Sequence, residues 1–406
     1  MGEQGSTSFE RFHREDLPAA LAARDGGRAA AREAGEGRAI AFRLTDGTTF
    51  TYRAHAGGIA IEPGDRASTV IELDELAFDD LVNERFTIFG LLYPGRLNVA
   101  RGSFDELASW EAALTNLWTG RAIYDDEATD LRDRDGRPLD LHATFVLADV
   151  PASAQREADA DAAHFLHTAG FVVLRGVFSR DEIDALDAEV RRLRAQATPT
   201  DNRSWWAKNA DGEEVCCRLT YTSERSELIW NLQHDARLVR IASWHGDELR
   251  PTPDRLDGFS VVIKNSDVVE GLSDLPWHRD CGLGGHPVLC PTLLMGIQLD
   301  RADAANGQLW YLAGSHRHTN RIDAVEQHPE WPIVRVDAEP GDVTVHYSHV
   351  LHVAPPPTGL NAGRRTLYVS FNNPAVFDVI PPGRGYNDVV YSQGDGRVRS
   401  PAELTR

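Results

Sequence analysis

The chain has 406 residues, more than the roughly 100–200 of a typical domain, so two domains and a sizeable core are expected. Its 42 basic and 62 acidic residues leave a formal charge of −20, which repels a polyphosphate backbone and argues against DNA or RNA as a partner. No run approaches the roughly 18 uninterrupted apolar residues of a membrane span.

The opening MGEQGSTSFERFHRED has no apolar signal segment and the closing AELTR does not match the peroxisomal tripeptide, so a cytoplasmic location is expected. Cys216, Cys217, Cys281 and Cys290 form no CxxC pair, and two of them are adjacent, which suits reduced thiols better than a disulfide framework.

In chain order, residues 16–35 are Ala- and Arg-rich with helical spacing, and the stretch from Ala39 to Gly64 alternates apolar and polar residues around Asp46-Gly47 and Gly57-Gly58. That predicts a helix followed by antiparallel hairpins. A further strand, a helix near 75–84, a break at Pro94-Gly95, a short strand and a helix closing at Trp118 complete a small α+β unit. The order of these elements over residues 25–120 resembles the sterol carrier protein 2 fold.

Charged, apolar-poor runs at 125–137 and 155–164 bracket an expected linker, with LDLHATFVLADVP as a strand-like bridge. The division expected is therefore 1–124, a linker over 125–154, and 155–406. Past a helix, a Gly170 stop, a β-branched strand and a helix capped near Ser179, the chain turns to short strands: FSVVIKN, PTLLMGIQLD, GQLWYLAG, WPIVRVD, DVTVHYS and RRTLYVSFNN. Their spacing between Gly, Pro, Asn and Asp suits a double-sheet jelly roll, preceded by the small α+β unit.

The chemistry concentrates at PWHRDCG. His278 and Asp280 are two apart, so on a strand both point to one face, and a distant histidine can complete a facial triad that leaves the other metal face open. Downstream stand Asn306-Gly307-Gln308-Leu309, Gly314-Ser315-His316, Gly341-Asp342, Leu351-His352 and Arg364. In order and spacing these segments resemble the phytanoyl-CoA dioxygenase family. The resemblance implies Fe(II) as the metal, 2-oxoglutarate and O2 as cosubstrates, and His278, Asp280 and His352 as ligands.

His346, His349 and His352 compete for the distal position, and the family's LH element selects His352. On a regular strand His346 and His352 share a side while His349 faces away. Arg364 suits the distal carboxylate of 2-oxoglutarate, because a planar guanidinium holds a carboxylate bidentately; Arg365 should face outward. Asp280, where a halogenase keeps no carboxylate, implies hydroxylation or a related oxidation.

Three residues depart from the family pattern: Arg279 between the ligands, Gly296 in place of a bulky aromatic, which is expected to enlarge the wall, and Ala354 in place of a serine. Trp205, Trp206, Tyr221, Trp230 and Trp277 are read as either pocket lining or core, and Lys264 as either a cosubstrate contact or a surface residue. His286, His316 and His318 are expected to be solvated. The partner implied is a small, apolar substrate, with a homo-oligomer left open. The competing reading is a lipid- or sterol-binding protein with a non-catalytic barrel.

Overall fold

The computed structural model describes residues 7–92, 94–147, 152–252, 258–270, 276–280, 292–319, 321–322, 324–359, 363–374, 377 and 386–391. Cys281, His286 and Cys290 lie outside them. Among the described residues no helix is long and apolar enough to cross a membrane.

The N-terminal unit is one sheet of five strands: β1 (Ala39–Leu44), β2 (Thr49–His55), β3 (Gly58–Pro63), β4 (Thr69–Leu73) and β5 (Leu97–Arg101), in the order β3-β2-β1-β4-β5. Both expected hairpins form, while β1 and β4 pair in parallel. The helices Glu75–Val82 and Phe104–Thr119 start where Asp74 and Ser103 accept a backbone N–H.

The single helix expected over 16–35 is instead two, Leu17–Ala22 and Arg28–Ala34. Gly26 and Gly27, at φ 72° and 77°, make the break, and the Asp25 carboxylate accepts from Gly27 and Ala29 to start the second helix.

Aromatic side chains fill this unit. Phe9, Phe50 and Phe78 enclose His13, which is 2% exposed and stacks on Phe50 at 4.4 Å. Its Nδ1 lies 2.6 Å from the Phe9 carbonyl and its Nε2 2.6 Å from the Tyr52 hydroxyl, which also accepts from Trp118 Nε1 at 3.3 Å. Every polar atom of the cluster is therefore bonded, and burial lowers the His13 pKa to about 4.

The chain leaves the N-terminal unit along the second one, where Tyr124 N–H donates to Thr319 O (2.7 Å) and Thr319 N–H to Ala122 O (2.9 Å). Arg321 and Glu33 form an ion pair across the two units at 3.3 Å. The strand-like bridge is real but short: β6 (Phe145–Val146) joins β7 (Phe171–Arg175) in parallel. The charged run 155–164, which marks the far edge of the expected linker, is helical. It lies in the helix Ala152–Ala169, whose Ala162, Phe165, Leu166 and Ala169 form the buried stripe while the charges face out.

Among the described residues eleven strands follow β7: β8 (Ser204–Asn209), β9 (Glu214–Leu219), β10 (Arg250–Pro251), β11 (Ser260–Lys264), β12 (Val268–Glu270), β13 (Leu293–Gln298), β14 (Leu309–Leu312), β15 (Ile333–Val336), β16 (Val343–Tyr347), β17 (His352–Val353) and β18 (Arg364–Asn372). One sheet runs β12-β8-β9-β11-β18-β13-β16-β7-β6 with β10 on β18, and the other is β15-β14-β17. All six strands expected from the sequence form, and the two sheets make the jelly roll.

Gly296 does not enlarge the wall. A Cβ there would lie 2.8 Å from Thr344 Oγ1, 2.9 Å from Thr366 Cγ2 and 3.0 Å from the Tyr368 ring. The space an aromatic at 296 would take is filled from β18 by Tyr368. Around it runs a buried polar chain: Arg364 Nη1 donates to Thr366 Oγ1, which donates to Gln298 Oε1 (3.0 Å), and Gln298 Nε2 donates to Thr344 Oγ1 (3.2 Å).

Two outcomes are expected. His13 is neutral when folded and takes a proton more readily when unfolded, so its contribution is present above pH 6.5 and is lost as pH falls toward about 4. Denaturation of wild type across that window should show about 3 kcal/mol more loss than His13→Phe, and equal pH slopes would contradict it. Gly296→Ala should destabilise the fold by about 1–3 kcal/mol through overpacking, and an unchanged denaturation midpoint would show that Tyr368 yields freely.

Candidate metal centre

Pro276–Asp280 is not a continuous strand. His278 alone is laddered, in a bridge with His352 whose two bonds measure 2.9 and 3.0 Å, and Asp280 N–H donates to Ser348 O at 2.8 Å. The effect expected from strand alternation nevertheless holds, since both side chains reach one point. One donor atom from each of His278, Asp280 and His352 lies within 4.8 Å of the others, a group able to hold a metal ion.

His346 and His352 do not share one regular strand. β16 ends at Tyr347, a turn occupies 348–351, and His352 opens β17 in the other sheet. His346 and His352 therefore reach the centre from opposite sheets, with ring centroids 4.8 Å apart.

Their hydrogen bonds distinguish them. A carbonyl oxygen only accepts, so His352 Nδ1, 3.0 Å from Val350 O, carries the proton, and so does His278 Nδ1, 2.7 Å from Pro276 O. Both rings thus present an Nε2 lone pair, at 3.6 and 3.5 Å from the Asp280 carboxylate. His346 differs: Tyr311 Oη lies 3.1 Å from its Nδ1 and Asp280 Oδ2 3.1 Å from its Nε2. With Tyr311 as donor, His346 carries its proton on Nε2 and gives it to Asp280, leaving no lone pair facing the group.

Charge follows the same plan. Burial lowers His352 to about 3, so its imidazole is neutral at neutral pH. Burial opposes ionisation of Asp280, but the carboxyl is held well below its ordinary range, and with His352 neutral the contact that favours its charged form is the hydrogen bond from His346. Two imidazoles and one carboxylate are the donor set of a facial triad.

The glycine motifs place the rest. Gly307, at φ 74°, passes so close to Pro355 O that a Cβ would be 2.5 Å away, and its carbonyl accepts from Arg364 Nε at 2.8 Å. Ser315 Oγ accepts from Leu351 N–H at 2.8 Å, fixing the residue before His352. Asp342 accepts from Arg175, Gly176 and Glu339, which pins the turn into β16.

Arg364 is 2% exposed, and among the described residues no carboxylate pairs with it. Arg365 faces outward to Asp300 and Asp187, as expected. Lys264 is no surface residue: it is 3% exposed, stands opposite Arg364 in the β11–β18 register, and donates to Ala354 O. Tyr368 stands on β18 with Arg364, its ring 6.4 Å from the His346 ring.

Other candidates fall away from the centre. Trp205 and Tyr221 pack with Tyr391 in a small core, and Trp230 is half exposed. Cys216 and Cys217 are buried, and burial raises the Cys216 thiol to about 11, the state of an inert thiol. His316 is not a solvated residue: it stacks on Tyr347 at 5.1 Å and is bonded to His167 O. Tyr311, Tyr368 and the bridging role of His346 escaped the sequence reading, although Tyr311 lies in the GQLWYLAG strand identified there.

Residues 166–366 match the family model of phytanoyl-CoA dioxygenase (PhyH). No curated protein matches the chain. Among solved structures, similarity is found to AviO1 from Streptomyces viridochromogenes Tue57, at 24% identity over 54% of this chain and 96% of that one, with a TM-score of 0.44. It extends to the non-haem alpha-ketoglutarate-dependent epimerase SnoN from nogalamycin biosynthesis, at 19% identity over 54% and 82%, TM-score 0.43. EctD from S. alaskensis with bound Fe is also similar, at 20% identity over 60% and 84%, TM-score 0.42. Over residues 166–366, therefore, the chain is a phytanoyl-CoA dioxygenase family domain.

Proposed function

We propose that this protein is an Fe(II)- and 2-oxoglutarate-dependent dioxygenase in which His278, Asp280 and His352 hold the iron and residues 155–406 carry the catalysis. The observation that carries this reading is the tautomer pattern: two imidazoles pinned through Nδ1 aim Nε2 at one ionised carboxylate. When bound, iron(II) with 2-oxoglutarate supplies the oxidising power, so that R–H, O2 and 2-oxoglutarate become R–OH, succinate and CO2.

The chain's own residues set the stage for that chemistry. His346 holds one Asp280 oxygen, which fixes the carboxylate's orientation. Arg364 offers a dry guanidinium to the cosubstrate's distal carboxylate; a buried cation without a carboxylate partner is costly, and an incoming anion relieves that cost. Lys264, beside it, adds positive charge to the same wall.

The substrate is proposed to be a small apolar molecule, such as a secondary metabolite, a terpenoid or an acyl compound, hydroxylated at a C–H bond. The alternative of a binding protein with a silent barrel is disfavoured by a complete triad together with a buried Arg364 that pairs with no carboxylate among the described residues.

Iron(II) and 2-oxoglutarate added anaerobically should produce the weak visible charge-transfer band of the chelate. His352→Ala should abolish it. Arg364→Ala should keep the iron but weaken 2-oxoglutarate binding about tenfold to a hundredfold, the loss of charged hydrogen bonds. A folded wild type with no band would overturn the proposal.

A further inference from the structure

Residues paired in register share one face of a sheet. His346 pairs with Leu294, Gly296 with Tyr368, Gln298 with Thr366, and Val262 with both Thr366 and Arg218, so all of these lie on the face of the large sheet that carries His346. Most of that face is buried. Leu294, Tyr368, Val262 and Arg218, one from each of the adjacent strands β13, β18, β11 and β9, are only half-buried.

A half-buried strip inside a jelly roll is surface that a substrate can reach, and this one starts at the metal group. Leu294 is the register partner of His346, and the Tyr368 ring lies 6.4 Å from the His346 ring. Three strand spacings, about 14 Å across the sheet, separate Leu294 from Arg218.

Along the strip the chemistry changes. Leu294, Val262 and the Tyr368 ring offer apolar surface, and a cation stands at the far end. The Arg218 guanidinium lies over the Trp205 ring, 4.7 Å from its centroid, and donates from Nη2 to Ser260 Oγ at 3.2 Å, so its position is fixed. On this face β9, β11 and β18 carry three cations, Arg218, Lys264 and Arg364, and no carboxylate, in a chain whose formal charge is −20. The proposed cosubstrate meets Arg364 and Lys264, which leaves the charge of Arg218 to the substrate.

We infer that this strip is the substrate bed and that the substrate is an apolar carboxylic acid, its skeleton on Leu294, Tyr368 and Val262 and its carboxylate at Arg218. The carbon presented for oxidation then lies at the opposite end of the molecule from the acid group. Arg218 is a specificity-determining residue in this arrangement, because a guanidinium rewards a carboxylate over a neutral group of the same shape. The inference rests on the iron and 2-oxoglutarate reading and narrows its substrate.

The test is calorimetry on the full-length protein loaded with Co(II) and 2-oxoglutarate, with dodecanoate and dodecan-1-ol as matched probes. Dodecanoate should bind wild type about tenfold tighter or more, the usual effect of a charged hydrogen bond. Arg218→Gln should erase that preference while leaving 2-oxoglutarate affinity within about twofold of wild type, and Arg218→Lys should keep part of it. Val262→Trp, which fills the middle of the strip, should weaken both probes, and it decides alone if the thermal midpoint shows that Arg218→Gln does not fold. An acid preference that survives Arg218→Gln, or unaltered dodecanoate binding by Val262→Trp, would overturn the inference. So would a wild type that takes up Co(II) and 2-oxoglutarate yet does not prefer the acid, and that result would leave the metal and cosubstrate sites standing. A wild type that takes up neither Co(II) nor 2-oxoglutarate would overturn the reading beneath it.

Discussion

The site depends on one constraint: a carboxylate buried among three imidazoles must stay ionised without being neutralised by any of them. Asp280 meets it because burial keeps His352 neutral while His346 donates its proton. The backbone carbonyls of Pro276 and Val350 take the Nδ1 protons of the two outer rings, so the lone pairs converge before any metal arrives. Preorganisation of this kind lowers the ordering cost of binding.

Much of the jelly roll can be understood as support for that arrangement. The two sheets are bridged at the centre by Tyr311 on β14 and His346 on β16, and Tyr311 is itself stacked on Phe171 of β7 at 4.6 Å. The Gly307 and Gly314 turns bring Arg364 and Leu351 to their bonding partners. Hydrophobic packing defines the sandwich, and a continuous polar chain from Thr344 to Arg364 runs inside it with its hydrogen bonds made.

What was legible in the sequence is what chemistry demands of residue type. His278 and Asp280 could be proposed as ligands because few side chains bind a metal and the two stand two apart, His352 and Arg364 were proposed through the family resemblance, and the strands could be picked out by their alternation. What depends on three-dimensional neighbours was not legible. The choice between His346 and His352 depends on a turn at 348–351 and on which atom faces Asp280. Gly296 was misread because Tyr368, on a different strand, fills its space, and Lys264 because its burial follows from pairing with β18. The helix 152–169 was expected only from about His164, because its charged first turns put only one residue in three or four toward the core.

The central claim is that iron is held by His278, Asp280 and His352, with His346 behind the carboxylate. Crystals grown with iron(II) under anaerobic conditions and measured at the iron absorption edge test it most directly. The account predicts one anomalous peak bonded to His278 Nε2, an Asp280 oxygen and His352 Nε2, with His346 still hydrogen-bonded to Asp280. A peak bonded to His346 in place of His352, or lying away from these residues, would contradict it.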